Sequence, residues 1–209
     1  MALGPGRWLV GPAGHNGWMT SLRWVTVEAP FGPVSVGCSG MGVAQTRFGP
    51  APASAGTGRR ADRAPDGVLA AARDQLDGYF RGTCTVFDLP LDWGKCPDAQ
   101  RAALSLLAES VPYGQTVSYG ELASRLARRA GRPSIGARAI GTIMGSNPIP
   151  LIVPCHRVVA ADGLGGFSGG CGIELKRWLL TFEGALPAML DFGAPVLPAS
   201  VPRPSGRVG

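Results

Sequence analysis

Residues 118–147 read SYGELASRLARRAGRPSIGARAIGTIMGSN, and this stretch decides the fold of the second half of the chain. Ser118 is a good N-cap with Glu121 three residues on, the spacing of a capping box, and predicts a helix through about Arg129. Gly131 to Ser134 breaks that helix. Ser134 then caps a second one, from Ile135 to about Ser146. Asn147-Pro148 stops it, because proline disfavours α geometry in the residue before it. Two helices joined by a short glycine-containing turn form a helix-turn-helix pattern. The stretch carries five arginines (125, 128, 129, 132 and 138) against one acid, Glu121, so the positive charge of the chain is concentrated here.

Downstream, Ile149 to Pro154 is an apolar run interrupted by prolines that delivers Cys155-His156-Arg157. A glycine-rich loop, 162–170, follows. A last helix is predicted from Ile173 to Phe182, with Leu175, Trp178, Leu179 and Phe182 on one face, ending at Glu183-Gly184. Upstream, Pro97 opens a helix to about Glu109, capped by Asp98 or a neighbour. Residues 23–38 read as a hairpin around the turn 29–33, Met41 to Phe48 as a third strand, 49–66 as a loop, Gly67 to Phe80 as a helix and Thr85 to Leu91 as a strand. The expected organisation is an N-terminal extension (1–22), a small α+β unit (23–93), a second unit (94–185) and a Pro-rich tail (186–209).

The composition narrows the classes. The 209 residues include 32 glycines and 19 prolines, about a quarter of the chain, which fits a folded centre with loose ends. There is no run long and apolar enough for a spanning helix, and the start does not read as a secretory signal, so a cytoplasmic setting away from membranes is expected. Five cysteines without a CxxC pair indicate neither a disulfide framework nor a zinc ribbon, and with only His15 and His156 no metal site is expected. Arginine supplies nearly all of the +6 charge, since lysine occurs only at 95 and 176.

Cys155 beside His156 is the one pairing with evident chemistry. A thiol reacts as its thiolate, and a nearby histidine or helix end lowers its pKa. Adjacent side chains diverge in a regular strand, so the couple needs irregular backbone or a bridging water, and Pro154 gives a reason for irregularity. The bland alternative is a buried cysteine next to a core histidine.

The string Asn147 to Val158, NPIPLIVPCHRV, resembles the O6-alkylguanine-DNA alkyltransferases, also called methylated-DNA–protein-cysteine methyltransferases. VPYGQTVSYGEL (111–122), GARAIG (136–141), GGFSGG (165–170) and KRWLLTFEG (176–184) match that family in order and nearly in spacing, whereas 23–93 matches loosely. The resemblance implies an α+β fold: a small ribonuclease H-like α/β domain, then a mainly helical domain whose helix-turn-helix holds double-stranded DNA by the minor groove. It implies a monomer with no cofactor, nucleoid-associated in a bacterium, that moves a methyl or larger alkyl group from O6 of guanine to Cys155 once per molecule. O4 of thymine is a second candidate position.

The same resemblance assigns roles. Glu183 orients His156, which acts on Cys155 through a water. Tyr119 assists base flipping and the leaving group. Asn147 is the hinge before the cysteine turn. Arg138 fills the gap left by the flipped base, and Ser168 bonds O6. Backbone groups of Cys155 and Val158 read the guanine amino group, and Met144 and Pro150 line the pocket. Arg128, Arg129 and Arg132, in a turn about five residues longer than the human-like pattern, add phosphate contacts. The helix at 97–109 lacks the family's usual aromatic residues, with Ala99 and Ala103 where bulkier groups are common, and Cys171 is read as structural. Two rivals stand beside this reading: a non-reacting alkyltransferase-like binding module, which would lack the cysteine, and a Cys-His hydrolase that turns over.

Overall fold

Alternating valines build the first sheet. In the computed structural model, which describes residues 22–53, 66–94, 96–170 and 172–187, three antiparallel strands run in order: β1 (Arg23–Ala29), β2 (Gly32–Ser39) and β3 (Gly42–Phe48). Val25 faces Val36 and Val27 faces Val34, all four buried, while Thr26 and Glu28 of β1 stay outside. Helix α1 (Asp66–Phe80) packs on β1 and buries Ala72, Leu76 and Tyr79.

The expected strand at 85–91 does not form. Among the described residues its only pairing is a single parallel bridge between Val43 and Leu91, in which Val43 N–H donates to Pro90 O (2.8 Å) and Asp92 N–H to Val43 O (2.7 Å). Pro90 has no N–H to extend a ladder. The approach is close enough that a Cβ on Gly42, at φ +142°, would lie 2.2 Å from Pro90 O.

Helix α2 (Asp98–Ser110) is preceded by Pro97 at the cap position, with no side-chain cap. Asp98 is already inside the first turn, where it accepts from Arg101 (2.7 Å), so it does not cap. Ser118 does cap α3 (Tyr119–Ala130), accepting the Glu121 N–H at 3.0 Å. The Glu121 carboxylate turns instead to Arg125 and Arg128, one and two turns on. Gly131 closes α3 in the left-handed conformation. Helix α4 (Gly136–Gly145) starts one residue later than expected, with Ile135 at the cap and Ser134 Oγ accepting the Gly136 N–H.

Strand β4 (Val117–Ser118) pairs in parallel with β5 (Val158–Val159), which ties the start of α3 to the segment just past Cys155. Helix α5 (Ile173–Phe182) closes the fold. One continuous apolar cluster runs through both halves. Aromatic contacts join them where α2 supplies none: Phe31 to Trp178 (5.1 Å) and Tyr79 to Tyr113 (6.0 Å) and Phe182 (5.6 Å). Among the described residues no helix is long and apolar enough to cross a membrane. The expectations for 1–21, for Cys171 and for the tail from 188 lie outside the described residues.

Candidate active site

The backbone before Cys155 is bent in three places. Asn147 closes the end of α4 on itself: its Oδ1 accepts the Ile149 N–H (3.0 Å) and its Nδ2 donates to Val153 O (3.0 Å). Leu151, buried, is held at φ +75°, a conformation that costs a side-chain-bearing residue about 1–3 kcal/mol. Pro154 (φ −81°, ψ 61°) then forms an inverse γ-turn, with Cys155 N–H donating to Val153 O at 2.8 Å. Cys155–Arg157 continues as one 3₁₀ turn. Successive side chains of such a turn diverge by about 120°. Cys155 thus lines an open cleft while its neighbour His156 goes fully inside.

Behind the cysteine lies a buried ionic cluster. His156 Nε2 is 2.9 Å from Glu183 Oε1. Arg157 grips the same carboxylate, Nε to Oε2 at 2.8 Å and Nη2 to Oε1 at 3.0 Å, and donates Nη1 to Val111 O. Tyr79 OH donates to Oε1 at 2.7 Å. Burial by itself would raise the Glu183 pKa, but the hydrogen bonds and charges of His156 and Arg157 bring it down to about 2. Burial pushes the His156 pKa down, as do the charges of Arg157 and Lys176, against the pull of Glu183. The pair therefore rests as carboxylate and neutral imidazole. Facing an acceptor-only carboxylate, Nε2 carries the proton, which leaves Nδ1 as an acceptor. Nδ1 is buried with no hydrogen-bond partner among the described residues. Burial also raises the Cys155 pKa, opposed by the Asn147 hydrogen bond, the Lys176 charge and two backbone N–H groups. The resting sulfur is a thiol that needs an acceptor for its proton.

The cleft holds about 560 Å³, and its walls include Tyr119, Arg138, Met144, Phe167 and Ser168 beside Cys155. That size suits one planar ligand of drug-like dimensions. Tyr119 OH donates to Gly166 O at 3.3 Å, and its ring fits because Gly165 (φ +68°) has no Cβ, which would sit 2.9 Å from it.

A model of "6-O-methylguanine DNA methyltransferase, DNA binding domain" matches residues 98–185. A methylated-DNA–protein-cysteine methyltransferase of Mycobacterium tuberculosis is 39% identical over 169 residues, covering 78% of this chain and 92% of that protein. The chain belongs to the methylated-DNA–protein-cysteine methyltransferase family. Among solved structures, the Mycobacterium tuberculosis OGT in complex with DNA is 38% identical, with a TM-score of 0.61 over 77% of this chain and 92% of that one. The O6-methylguanine-DNA methyltransferase of Pyrococcus kodakaraensis (24% identical, TM-score 0.51) shares the mixed helix-and-strand fold.

Within this methyltransferase frame the expected residues divide. Cys155, Tyr119, Arg138, Met144 and Ser168 meet at the cleft, with His156 and Glu183 behind it. Ser168 Oγ donates to Gly145 O (3.0 Å), so its proton must turn to reach a ligand. Pro150 sits in the turn, bridged to Val153, rather than in the cleft wall. Val158 is fully buried, and its carbonyl accepts from Lys176 Nζ at 2.6 Å. Arg128 bonds Glu121 and Arg129 bonds Glu109, whereas Arg132 stands exposed past the end of α3.

Three further residues of the candidate site carry no role in the sequence reading. Arg157 lies inside the CHRV string and would have been found by asking what neutralises a buried glutamate. Lys176, wholly buried and lowered by burial to about 8, also donates to Gly166 O (3.1 Å) and lies 5.6 Å from the Tyr119 ring centroid. Tyr79 comes from the other half of the chain, and no local pattern marks it.

Proposed function

We propose that this protein repairs DNA by direct reversal, moving a methyl or larger alkyl group from O6 of guanine to Cys155 once per polypeptide. The observation that carries the reading is the buried Glu183–His156 pair set directly behind a cysteine that opens onto a cleft. Its neutral imidazole offers Nδ1 to take the thiol proton through one water. The thiolate then attacks the alkyl carbon in line. An S–C bond forms, the C–O6 bond breaks, and the electron pair left on the purine takes up a proton near N3 while Tyr119 hydrogen-bonds the departing base; the thiol proton held on His156 passes back to water, so one proton is taken up for the one released. The thioether has no hydrolytic exit, so the protein is consumed.

The base reaches the cleft by leaving the duplex. In this reading α3 and α4 act as the helix-turn-helix, α4 lies in the minor groove, and Arg138 fills the gap left in the stack. Extrusion costs a few kcal/mol, which an inserted planar cation offsets in part. Ser168 bonds O6, the Cys155 and Val158 backbone reads the guanine amino group, and Arg128, Arg129 and Arg132 contact phosphates. A monomer suffices. We assign residues 23–93 to a ribonuclease H-like N-terminal domain and 94–185 to the transfer domain. O4 of thymine is a second candidate position for the transfer.

Titration with duplex DNA carrying radiolabelled O6-methylguanine tests the proposal. Label should accumulate on protein and stop at one equivalent per polypeptide. Label released to solvent over many turnovers, the behaviour of a Cys-His hydrolase, would refute it.

A further inference from the structure

Glu183 Oε1 accepts from three directions, and one of them comes from the far half of the chain. Tyr79, on α1, donates its hydroxyl at 2.7 Å to the oxygen that also bonds His156 Nε2 at 2.9 Å. The ring is fixed by Phe80 (5.2 Å), Phe87 (5.5 Å, stacked) and Phe182 (5.6 Å), and only 1% of the residue is exposed. A buried tyrosine hydroxyl needs some acceptor, and a backbone carbonyl would serve. Here the acceptor is the atom that sets the basicity of the histidine.

We infer that Tyr79 is a positioning residue for alkyl transfer, which holds the Glu183 carboxylate against His156 and limits how strongly that carboxylate draws a proton onto the imidazole. The inference rests on the relay proposed above. The charged and titratable groups facing this cluster are Arg157 on the 3₁₀ turn, Lys176 on α5, Tyr113 in the turn after α2, and Cys155 itself. Of these, Arg157 already gives the carboxylate two donors. Without the Tyr79 hydroxyl, Oε1 keeps more of its negative charge, and His156 becomes easier to protonate. The relay needs His156 neutral, so transfer is then lost at a higher pH.

The test follows single-turnover transfer to Cys155 from free O6-benzylguanine across pH, in the full-length protein. His156 is titrated alongside by NMR in a His15→Gln background, which leaves one histidine. In Tyr79→Phe the acid limb and the His156 midpoint should rise together by about half to one pH unit. Transfer just below the wild-type limb should slow about three- to tenfold. Phe87→Leu, which loosens the same aromatic packing without touching the carboxylate, should lower the Tm and leave the limb in place. Site-specific 3-fluorotyrosine at position 79 keeps the fold and the hydroxyl but donates more strongly, and should move the limb down; it decides the matter if Tyr79→Phe does not fold. Wild-type transfer with limbs that do not move, or an equal shift in Phe87→Leu, would overturn the role of Tyr79 alone. A wild-type protein that forms no alkylcysteine would overturn the relay and this inference together.

Discussion

Glu183 Oε1 and His156 Nε2 stand 2.9 Å apart with both side chains entirely out of solvent. Arg157 makes this possible: a buried carboxylate beside a neutral histidine is stable because a guanidinium holds it through both oxygens. The charge cluster is thus what keeps the imidazole oriented and its proton on Nε2, with Nδ1 left as the acceptor.

Removing that anion should cost both rate and stability. Glu183→Gln is expected to slow transfer from O6-benzylguanine by about 10²-fold or more. It leaves the buried Arg157 unpaired, at about 3–5 kcal/mol, read as a lower Tm. Glu183 titrates at about 2 in the folded protein against an ordinary 4.5, so its stabilisation is present above about 4.5 and is lost as pH falls from there through about 2. The acid-induced fall in Tm over that interval should be flatter in Glu183→Gln.

Asn147 holds the Cys155 turn from both ends and lowers the thiol pKa by hydrogen bonding. In Asn147→Ala the thiol should ionise at higher pH, with the rate of alkylation by iodoacetamide falling at neutral pH. Stability should drop by about 1–3 kcal/mol, because the Ile149 N–H loses its acceptor and Val153 O keeps only the Cys155 N–H.

Arg138 is exposed at the cleft wall and touches none of the buried cluster. Arg138→Ala should therefore slow transfer from duplex DNA about ten- to a hundredfold while leaving transfer from free O6-benzylguanine nearly unchanged. Equal slowing of the two substrates would remove its role in flipping.

The arginines around the C-terminal end of α3 are not equivalent. Arg129 is paired with Glu109, whereas Arg132 is exposed just past the helix end, tied to α3 by its backbone N–H to Ala127 O. Arg132→Ala should reduce the slope of log binding constant against log salt by about one, and Arg129→Ala by less. Fluorescence anisotropy on a labelled duplex over a salt series reads both.

Local rules carried the sequence reading where local forces dominate. Ser118 capping, the Gly131 stop and the Asn147-Pro148 end fixed α3 and α4 to within a residue, because caps are nearest-neighbour chemistry. The strand expected at 85–91 failed because a β pattern says nothing about a partner, and Pro90 denies it one. Cys155, His156 and Glu183 were legible from their motif, while Tyr79 and Lys176 reach the site only through tertiary packing, 104 residues from Glu183 and 18 from Val158. Pro154 hinted at the irregular backbone that separates Cys155 from His156, but not at the γ-turn that produces it.

In the proposed reaction the alkyl carbon ends on the Cys155 sulfur. Its most direct test is the mass of the peptide containing Cys155 after incubation with duplex DNA carrying O6-methylguanine. One added CH₂ unit is expected on that peptide, none elsewhere, and none in Cys155→Ser. An unmodified Cys155 in protein that has demethylated the DNA would contradict it.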